Sequence, residues 1–463
     1  MEHKALNPNL APLQANESVG TNLIYSILLS LIVLGICLGN RRSTISTYDT
    51  LAGEWLPLSI LRGDGPYLDR FYTSLVTADG KIHYIAQVSR GHIVSRYPIG
   101  SVILALPLSW LQVIYLDWQR PGWDRDITSR EYYCMRIAKI NSAIIIALLA
   151  FALFHVLCSL GQKHTAILTV LVAILGSDLW TVASQASWQH GPAALMLTLL
   201  VWCLSSKTTP VSRWRLIGAG LAASALVACR SIDLVFPVFA VAWVTWHQPK
   251  ESAWLILSAL PITVALLGYN LWYFGRIEGG QPAIEALHPI YHHVEGIWTG
   301  NFLEGLMGTL FSPSRGLFIF SSWTLVSLLV LPTTAGSIRR KSSSTAWFLV
   351  GLIPYGIILS KYSVWWAGHS FGPRYWTDVI PLFAIMLAFA LDWLYSQGRS
   401  RLILLPIYIF TFLVSIAIQV IGAFYSPSSW NLSPKNIDTH HERLWEWTDH
   451  ELLRCVKEGR KPW

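Results

Sequence analysis

Charge is what this sequence has least of. Asp, Glu, Lys and Arg together make up 13% of its 463 residues, about half the share found in an ordinary soluble domain, while 53% are hydrophobic. Apolar runs of roughly 15 to 20 residues recur from Thr21 to Phe424, which excludes a separate soluble domain of ordinary size between them. Cysteine is scarce as well. The six (Cys37, Cys134, Cys158, Cys203, Cys229 and Cys455) show no CxxC spacing and most sit in or beside apolar runs, so neither a disulfide framework nor a thiolate zinc site is indicated. The chain also lacks a P-loop, a Gly-rich dinucleotide fingerprint, an internal repeat and any low-complexity segment, so nothing points to a cytoplasmic nucleotide site.

What is present is an excess of basic residues, 34 Lys and Arg against 26 Asp and Glu, a formal charge of +8. In a soluble chain that would raise nucleic acid as a partner. Here it follows from topology, because Lys163/His164, Lys207/Arg213/Arg215, Lys250, Arg339/Arg340/Lys341 and Arg399/Arg401 form short clusters in every second connection between apolar runs. Nucleic acid is not expected. The first apolar run, Thr21 to Gly39, is followed by Asn40-Arg41-Arg42 rather than by a small-residue cleavage site, and reads as a retained anchor.

These features predict an all-α polytopic membrane protein with about eleven transmembrane helices, near 21–39, 138–159, 165–183, 191–206, 214–229, 232–247, 253–273, 316–336, 346–360, 378–396 and 402–424. A further run, Pro98–Leu116, is long enough to span. Counting it would put Asp49 and the 361–378 loop on opposite faces, so it is read as a re-entrant or juxtamembrane helix weakened by Pro98, Gly100 and Pro107. The organisation is then a transmembrane domain, 1–424, with outer loops 40–137, 274–315 and 361–378, and a short extracytoplasmic tail, 425–463.

The unusual polar chemistry gathers in those outer segments. Asp49 follows the first span, with Glu54, Asp64 and Asp69 beyond it; a carboxylate at a membrane surface can serve as a general base, or be an ordinary loop acid. Arg96, Arg136, Arg230 and Arg315 stand at outer helix ends, suited to clamp a phosphate or to snorkel toward lipid head groups. Gln185, Gln189 and His190 can bond a polyhydroxy ligand or cap neighbouring helices. His288, His292 and His293 lack a carboxylate or cysteine at ligand spacing, so no metal is assigned; a divalent cation is not indicated, and no other cofactor is assigned. In "KYSVWWAGHSFGPRYWTD", Gly372-Pro373 breaks the backbone before a span. Arg374 follows it, and Trp365, Trp366, Tyr375, Trp376 and His369 supply rings and a polar group that suit either an aromatic belt or a sugar.

Taken in order along the chain, "YDTLAGEWLPLSILRGDGPYLDRF", "GHIVSRYPIGSVILALP", "ASQASWQHGPA", "NLWYFGRIEGG", "LFSPSRGLFIFSS", "WWAGHSFGPRYWTDVIPLF" and "RLWEWTDHELLR" resemble the bacterial polyprenyl-phosphate-sugar-dependent glycosyltransferases of the GT-C fold. That group is related to protein O-mannosyltransferases and to the aminoarabinose transferase acting on lipid A. The resemblance implies a GT-C fold, with Asp49 as the first-loop catalytic aspartate and Arg96-Tyr97-Pro98 as the basic element meeting the donor phosphate. Thr50 stands where many relatives carry a second acid, and His190 where they often place an aspartate; both departures argue against a carboxylate-bound divalent cation.

The expected activity is therefore transfer of a sugar from a polyprenyl-phosphate donor to a glycan, lipid or protein hydroxyl, by an inverting displacement on the extracytoplasmic side of a bacterial inner membrane. Asp49 is the expected base. Arg96, Tyr97, Arg136, Arg315 and Arg374 are the expected phosphate ligands, and Gln189, His190, Trp365, Trp366, His369 and Tyr375 the expected sugar or acceptor contacts. Glu278, Glu285, Glu295 and Trp298 are candidates for acceptor choice. The rival readings are a transporter or flippase of lipid-linked sugars, which would show pseudo-symmetry and midplane charges, and an O-antigen polymerase or ligase.

Overall fold

The computed structural model describes residues 11–40, 48–205, 210–398, 401–425 and 429–458. Arg41, Arg42, Lys207 and Arg399 lie outside them. The described chain is mostly helical, as a backbone must be where no water can satisfy its polar groups, and seven helices are long and apolar enough to cross a membrane. The principal helices are α1 (Ala11–Gly39), α2 (Tyr48–Leu61), α3 (Gly100–Gln119), α4 (Ile127–Ser159), α5 (Lys163–Leu175), α6 (His190–Leu204), α7 (Arg213–Cys229) and α8 (Val235–His247). They continue as α9 (Ser252–Phe274), α10 (Phe302–Phe311), α11 (Trp323–Lys341), α12 (Ser343–Lys361), α13 (Ile380–Ser396), α14 (Arg401–Phe424) and α15 (Glu451–Glu458).

Six of the eleven expected spans fall among the seven long apolar helices: those at 20–39, 127–159, 252–274, 343–361, 374–396 and 402–424. The seventh is α3, which runs unbroken through Pro107 although that proline was expected to weaken it. The other five expected spans fall on α5, α6, α7, α8 and α11, which are shorter or carry charge. Local chemistry accounts for some of the shortening. After α5, the Ser177 hydroxyl bonds back to the Ala173 carbonyl at 2.5 Å and the chain passes into a single π-helical turn, Leu179–Ala183.

Burial sorts the helices into layers. Every residue from Ile380 to Leu391 is buried, so α13 is apolar all round because it is enclosed all round. By contrast, only 6% of the apolar window of α9 is buried, which leaves it on the rim. At the start of α3, a Cβ on Gly100 would stand 2.3 Å from the backbone of Ala228, so only glycine lets α3 abut the last turn of α7.

Helices α1 and α4 lie side by side and antiparallel. His155, near the end of α4, is 3.1 Å from Ser26 of α1, while Cys37 in the last turn of α1 lies beside Lys139 and Ser184. The segment between them therefore begins and ends at the same end of the pair. That segment is folded on its own core, with Trp55 and Phe71 stacked 4.8 Å apart and Leu56, Leu68, Ile85, Ile93 and Val113 around them. It includes an antiparallel hairpin, β1 (Ala86–Ser89) and β2 (His92–Ser95), turned at Arg90 and Gly91, whose φ values of 53° and 82° suit a two-residue hairpin turn. The tail is docked too: Trp430, Ile437 and Leu444 pack against Val364, Trp365 and Trp366.

Candidate active site

The hairpin decides where the first polar groups meet. Arg96 N–H donates to the Ile85 carbonyl at 2.9 Å, extending the ladder by one step, so Tyr84 and Tyr97 emerge side by side from its two open ends. Both hydroxyls donate to Oδ1 of Asp49, Tyr97 at 2.5 Å and Tyr84 at 3.1 Å. Asp49 sits in the first turn of α2, where the positive end of the helix dipole favours a carboxylate. Its other oxygen, Oδ2, accepts from Nη1 of Arg374 at 3.0 Å, a contact between residues 325 apart in sequence. The Asp49 side chain keeps 30% of its surface open and that of Arg374 keeps 10%, so the pair lines a cleft and is not sealed in the core.

The loop that carries Arg374 is bent by three left-handed residues, Ala367, Gly368 and Gly372, at φ values near +61° to +63°. Glycine is required at the last of them, because a Cβ there would stand 2.9 Å from both carboxylate oxygens of Asp178. The bend aims the Ala367 carbonyl at Nη2 of Arg374, 2.9 Å away. The guanidinium also lies 4.4 Å over the Trp188 ring and 5.6 Å from that of Tyr375. Beyond Tyr375 stands a second cation, Arg230, 5.8 Å from the same ring. Arg230 pairs with Oδ2 of Asp378 at 3.1 Å, and His190 meets Oδ1 of Asp378 at 2.7 Å. Asp49, Arg374, Tyr375, Arg230, Asp378 and His190 thus form one continuous charged array.

Burial opposes ionisation of Asp49, but the Arg374 guanidinium and the hydroxyls of Tyr97 and Tyr84 outweigh it and hold the carboxyl below the usual carboxylate range. Burial, reinforced by the Asp49 charge, pushes the Tyr97 phenol well above its ordinary range, so it stays protonated and able to donate.

Two apolar grooves leave this array, separated by Pro98. The first, a cavity of about 760 Å³, runs between α8 and α12 along Val235, Val238, Phe239 and Ile357, with Gln189, Arg230, Lys361 and Tyr375 at its polar end. The second, about 340 Å³, runs between α7 and α9 along Val227, Ala259, Thr263 and Leu267, with Arg96 and Tyr97 at its mouth.

Of the expected site residues, the structure brings Asp49, Tyr97, Arg374, Tyr375, His190 and Gln189 together, and places Arg96 beside them. It does not bring in the rest. Arg136 is exposed and bonds Tyr132 on its own helix at 3.2 Å. Arg315 is 1% exposed, with Nε bonded to the Trp366 carbonyl at 3.0 Å, Nη1 to Glu451 at 2.7 Å and Nη2 to Asn431 at 2.8 Å. It holds the loop and tail in place and presents no donor to the cleft. Trp365 and Trp366, expected as sugar-stacking faces, are 4% and 1% exposed because the tail covers them. His369 faces the tail, 2.8 Å from Asp438.

Sequence reasoning did not reach Tyr84, Trp188 or the pairing of Asp378 with Arg230 and His190. Trp188 lies in "ASQASWQHGPA" and Asp378 in "WWAGHSFGPRYWTDVIPLF", but nothing in either segment announces the partner; Tyr84 carries no signal at all. Among the described residues no group of three or more His, Cys, Asp or Glu side chains is arranged to hold a metal ion. No family model matches the chain, no curated protein is significantly similar to it, and no solved structure matches its fold.

Proposed function

We propose that the protein is a membrane glycosyltransferase that moves a sugar from a polyprenyl-phosphate donor to an acceptor hydroxyl. The observation that carries this reading is the 3.0 Å meeting of Asp49 with Arg374 beside Tyr375, a residue that lines the polar end of an apolar groove large enough for a lipid chain. In the first groove the prenyl chain lies along Val235, Val238 and Ile357, and its phosphate is drawn to the cations on either side of Tyr375, Arg374 and Arg230.

The reaction balances without a cofactor. The acceptor oxygen attacks the anomeric carbon, the bond from that carbon to the phosphate oxygen breaks, the acceptor proton passes to Asp49, and polyprenyl phosphate leaves. Negative charge on the leaving phosphate grows as the bond breaks, so cations already in position lower the barrier and do not merely improve binding. Arg374 is shared between base and leaving group. As it turns to the incoming phosphate it loosens its hold on Asp49, which strengthens the base when donor is bound. One displacement by one base inverts the anomeric centre.

In the membrane, this reading takes α1, α4 to α9 and α11 to α14 as eleven crossings of a GT-C-type arrangement, with α3 lying along the surface. Parity supports that placement: the chain leaves α1 and enters α4 at the same end of an antiparallel pair, so one helix between them cannot cross alone. Lys163, Arg213, Arg215, Lys250 and Arg339 then share the opposite, cytoplasmic end, and the Asp49 site faces outward from a bacterial inner membrane.

The test is to offer purified protein a radiolabelled polyprenyl-phosphate sugar with a mixture of membrane glycans and lipids. A new glycosidic bond, lost in Asp49→Asn, supports the proposal. Movement of the intact donor between leaflets without any new bond points instead to a flippase.

A further inference from the structure

Unlike Arg374 and Arg230, Arg96 has no ion-pair partner among the described residues. Arg374 is paired with Asp49 and Arg230 with Asp378. Arg96 is half-buried, and its hydrogen bonds go to neutral acceptors, the Tyr84 carbonyl at 3.0 Å and Oε1 of Gln87 at 3.3 Å. A partly desolvated cation without an anion is costly, and the cost is recovered when an anion arrives. Glu278 lines the same groove but is exposed, and among the described residues it forms no ion pair with Arg96.

Behind Arg96 runs the second groove, whose walls Val227, Ala259, Thr263 and Leu267 are apolar or nearly so. It opens on α9, the rim helix, where a chain could enter from the bilayer. Its lining includes Tyr97, whose hydroxyl is the shortest contact of Asp49, while the first groove is lined at its polar end by Tyr375, 5.6 Å from the Arg374 guanidinium. The two grooves are neighbours that share Pro98, Ser231, Leu234 and Gln281, and they end on different residues, the second at Tyr97 beside the base and the first at Tyr375 beside the cations meant for the leaving group.

We infer that the second groove seats the acceptor, and that the acceptor is a phosphate-bearing lipid whose chain lies between α7 and α9 and whose head group rests on Arg96, with a hydroxyl turned toward Asp49. The lipid site stands on the groove and the unpaired guanidinium; its role as acceptor rests on the proposed transfer. Arg96 serves as a binding and positioning residue, since it touches Asp49 only through the tyrosines.

The experiment uses full-length protein in detergent and two photoactivatable probes with identical acyl chains, phosphatidic acid and diacylglycerol, with crosslinked peptides mapped by mass spectrometry. Phosphatidic acid is expected to label the 252–274 segment at least about tenfold more strongly than diacylglycerol at equal concentration, the difference one charge-assisted hydrogen bond makes. Arg96→Gln is expected to remove that difference. Thr263→Trp, which fills the groove from a half-buried position on α9, is expected to block labelling by both probes while the melting temperature stays at the wild-type value.

Equal labelling by the two probes, or labelling unchanged in Arg96→Gln, means bulk lipid only and overturns the inference. Displacement of phosphatidic acid by polyprenyl phosphate in one-for-one competition makes the groove an arm of the donor site and overturns it as well. Because the readout is binding, it separates from the transfer reaction: phosphate-dependent labelling in a protein that forms no glycosidic bond counts against glycosyl transfer and leaves the lipid site standing.

Discussion

The Asp49–Arg374 pair makes a prediction that joins structure to pH. At 3.0 Å, two unit charges attract by about 5 kcal/mol at an effective dielectric constant near 20. Burial of both groups opposes part of that, and two tyrosine hydroxyls add to it, leaving the carboxyl below its usual range. A carboxyl whose pKa is depressed in the folded protein is ionised throughout neutral pH, and its function is lost only as pH falls through the depressed value. The acid limb of kcat/KM, which reports the free enzyme, should therefore lie below the ordinary carboxylate range in the wild type. Arg374→Gln removes the cation while keeping a hydrogen-bond donor. It should move the acid limb to higher pH and lower the rate by on the order of 10² to 10³ through loss of leaving-group stabilisation. Asp49→Asn should abolish the limb and cost on the order of 10² to 10⁴ in rate. The assay is initial-rate transfer from a radiolabelled donor across a pH series, with melting in detergent as the folding control. An acid limb that stays in place in Arg374→Gln would refute the coupling, and near wild-type transfer by Asp49→Asn would refute the choice of base.

The remaining predictions concern what holds the array in position. Glu451→Ala leaves Arg315 buried without its counter-charge and should cost on the order of 3–5 kcal/mol, visible as a lower melting temperature in detergent; an unchanged melt would mean that the tail does not anchor the loop. Gly372→Ala forces a left-handed alanine, about 1–2 kcal/mol, and drives a methyl group onto the Asp178 carboxylate, so both stability and transfer should fall. Tyr97→Phe should raise the acid limb of kcat/KM by removing the shortest hydrogen bond to Asp49, and a profile identical to wild type would show that the bond has no catalytic weight. Single cysteines at Ser74 and Lys250 should be labelled by an impermeant maleimide from opposite sides of the membrane, and labelling from one side would overturn the topology.

Amphiphilic bookkeeping along the chain sufficed for the all-α membrane class, because long stretches without charge can fold only where the backbone bonds within itself. It also located the chemistry-bearing segments, since Asp49, Arg96-Tyr97, His190 and Arg374 stand out as polar groups in otherwise apolar surroundings. Helix length was less legible. The expected span at 165–183 is cut to Lys163–Leu175 by the turn at Leu179–Ala183, while those at 191–206 and 232–247 match the apolar helices His190–Leu204 and Ser231–His247 closely, and α3 continues through Pro107 against its local propensity. What a residue faces was not legible at all. Arg315 and Arg374 look alike in sequence, each an arginine beside a Gly or Pro break, yet one is wrapped in carbonyls and Glu451 while the other reaches across 325 residues to Asp49. Trp365 and Trp366 suggest open aromatic faces, and the docking of Trp430 and Leu444 closes them. Residue type carries the capacity for chemistry, and it is local. Partner, burial and charge compensation are properties of the folded chain, set by contacts between segments that composition and spacing do not encode.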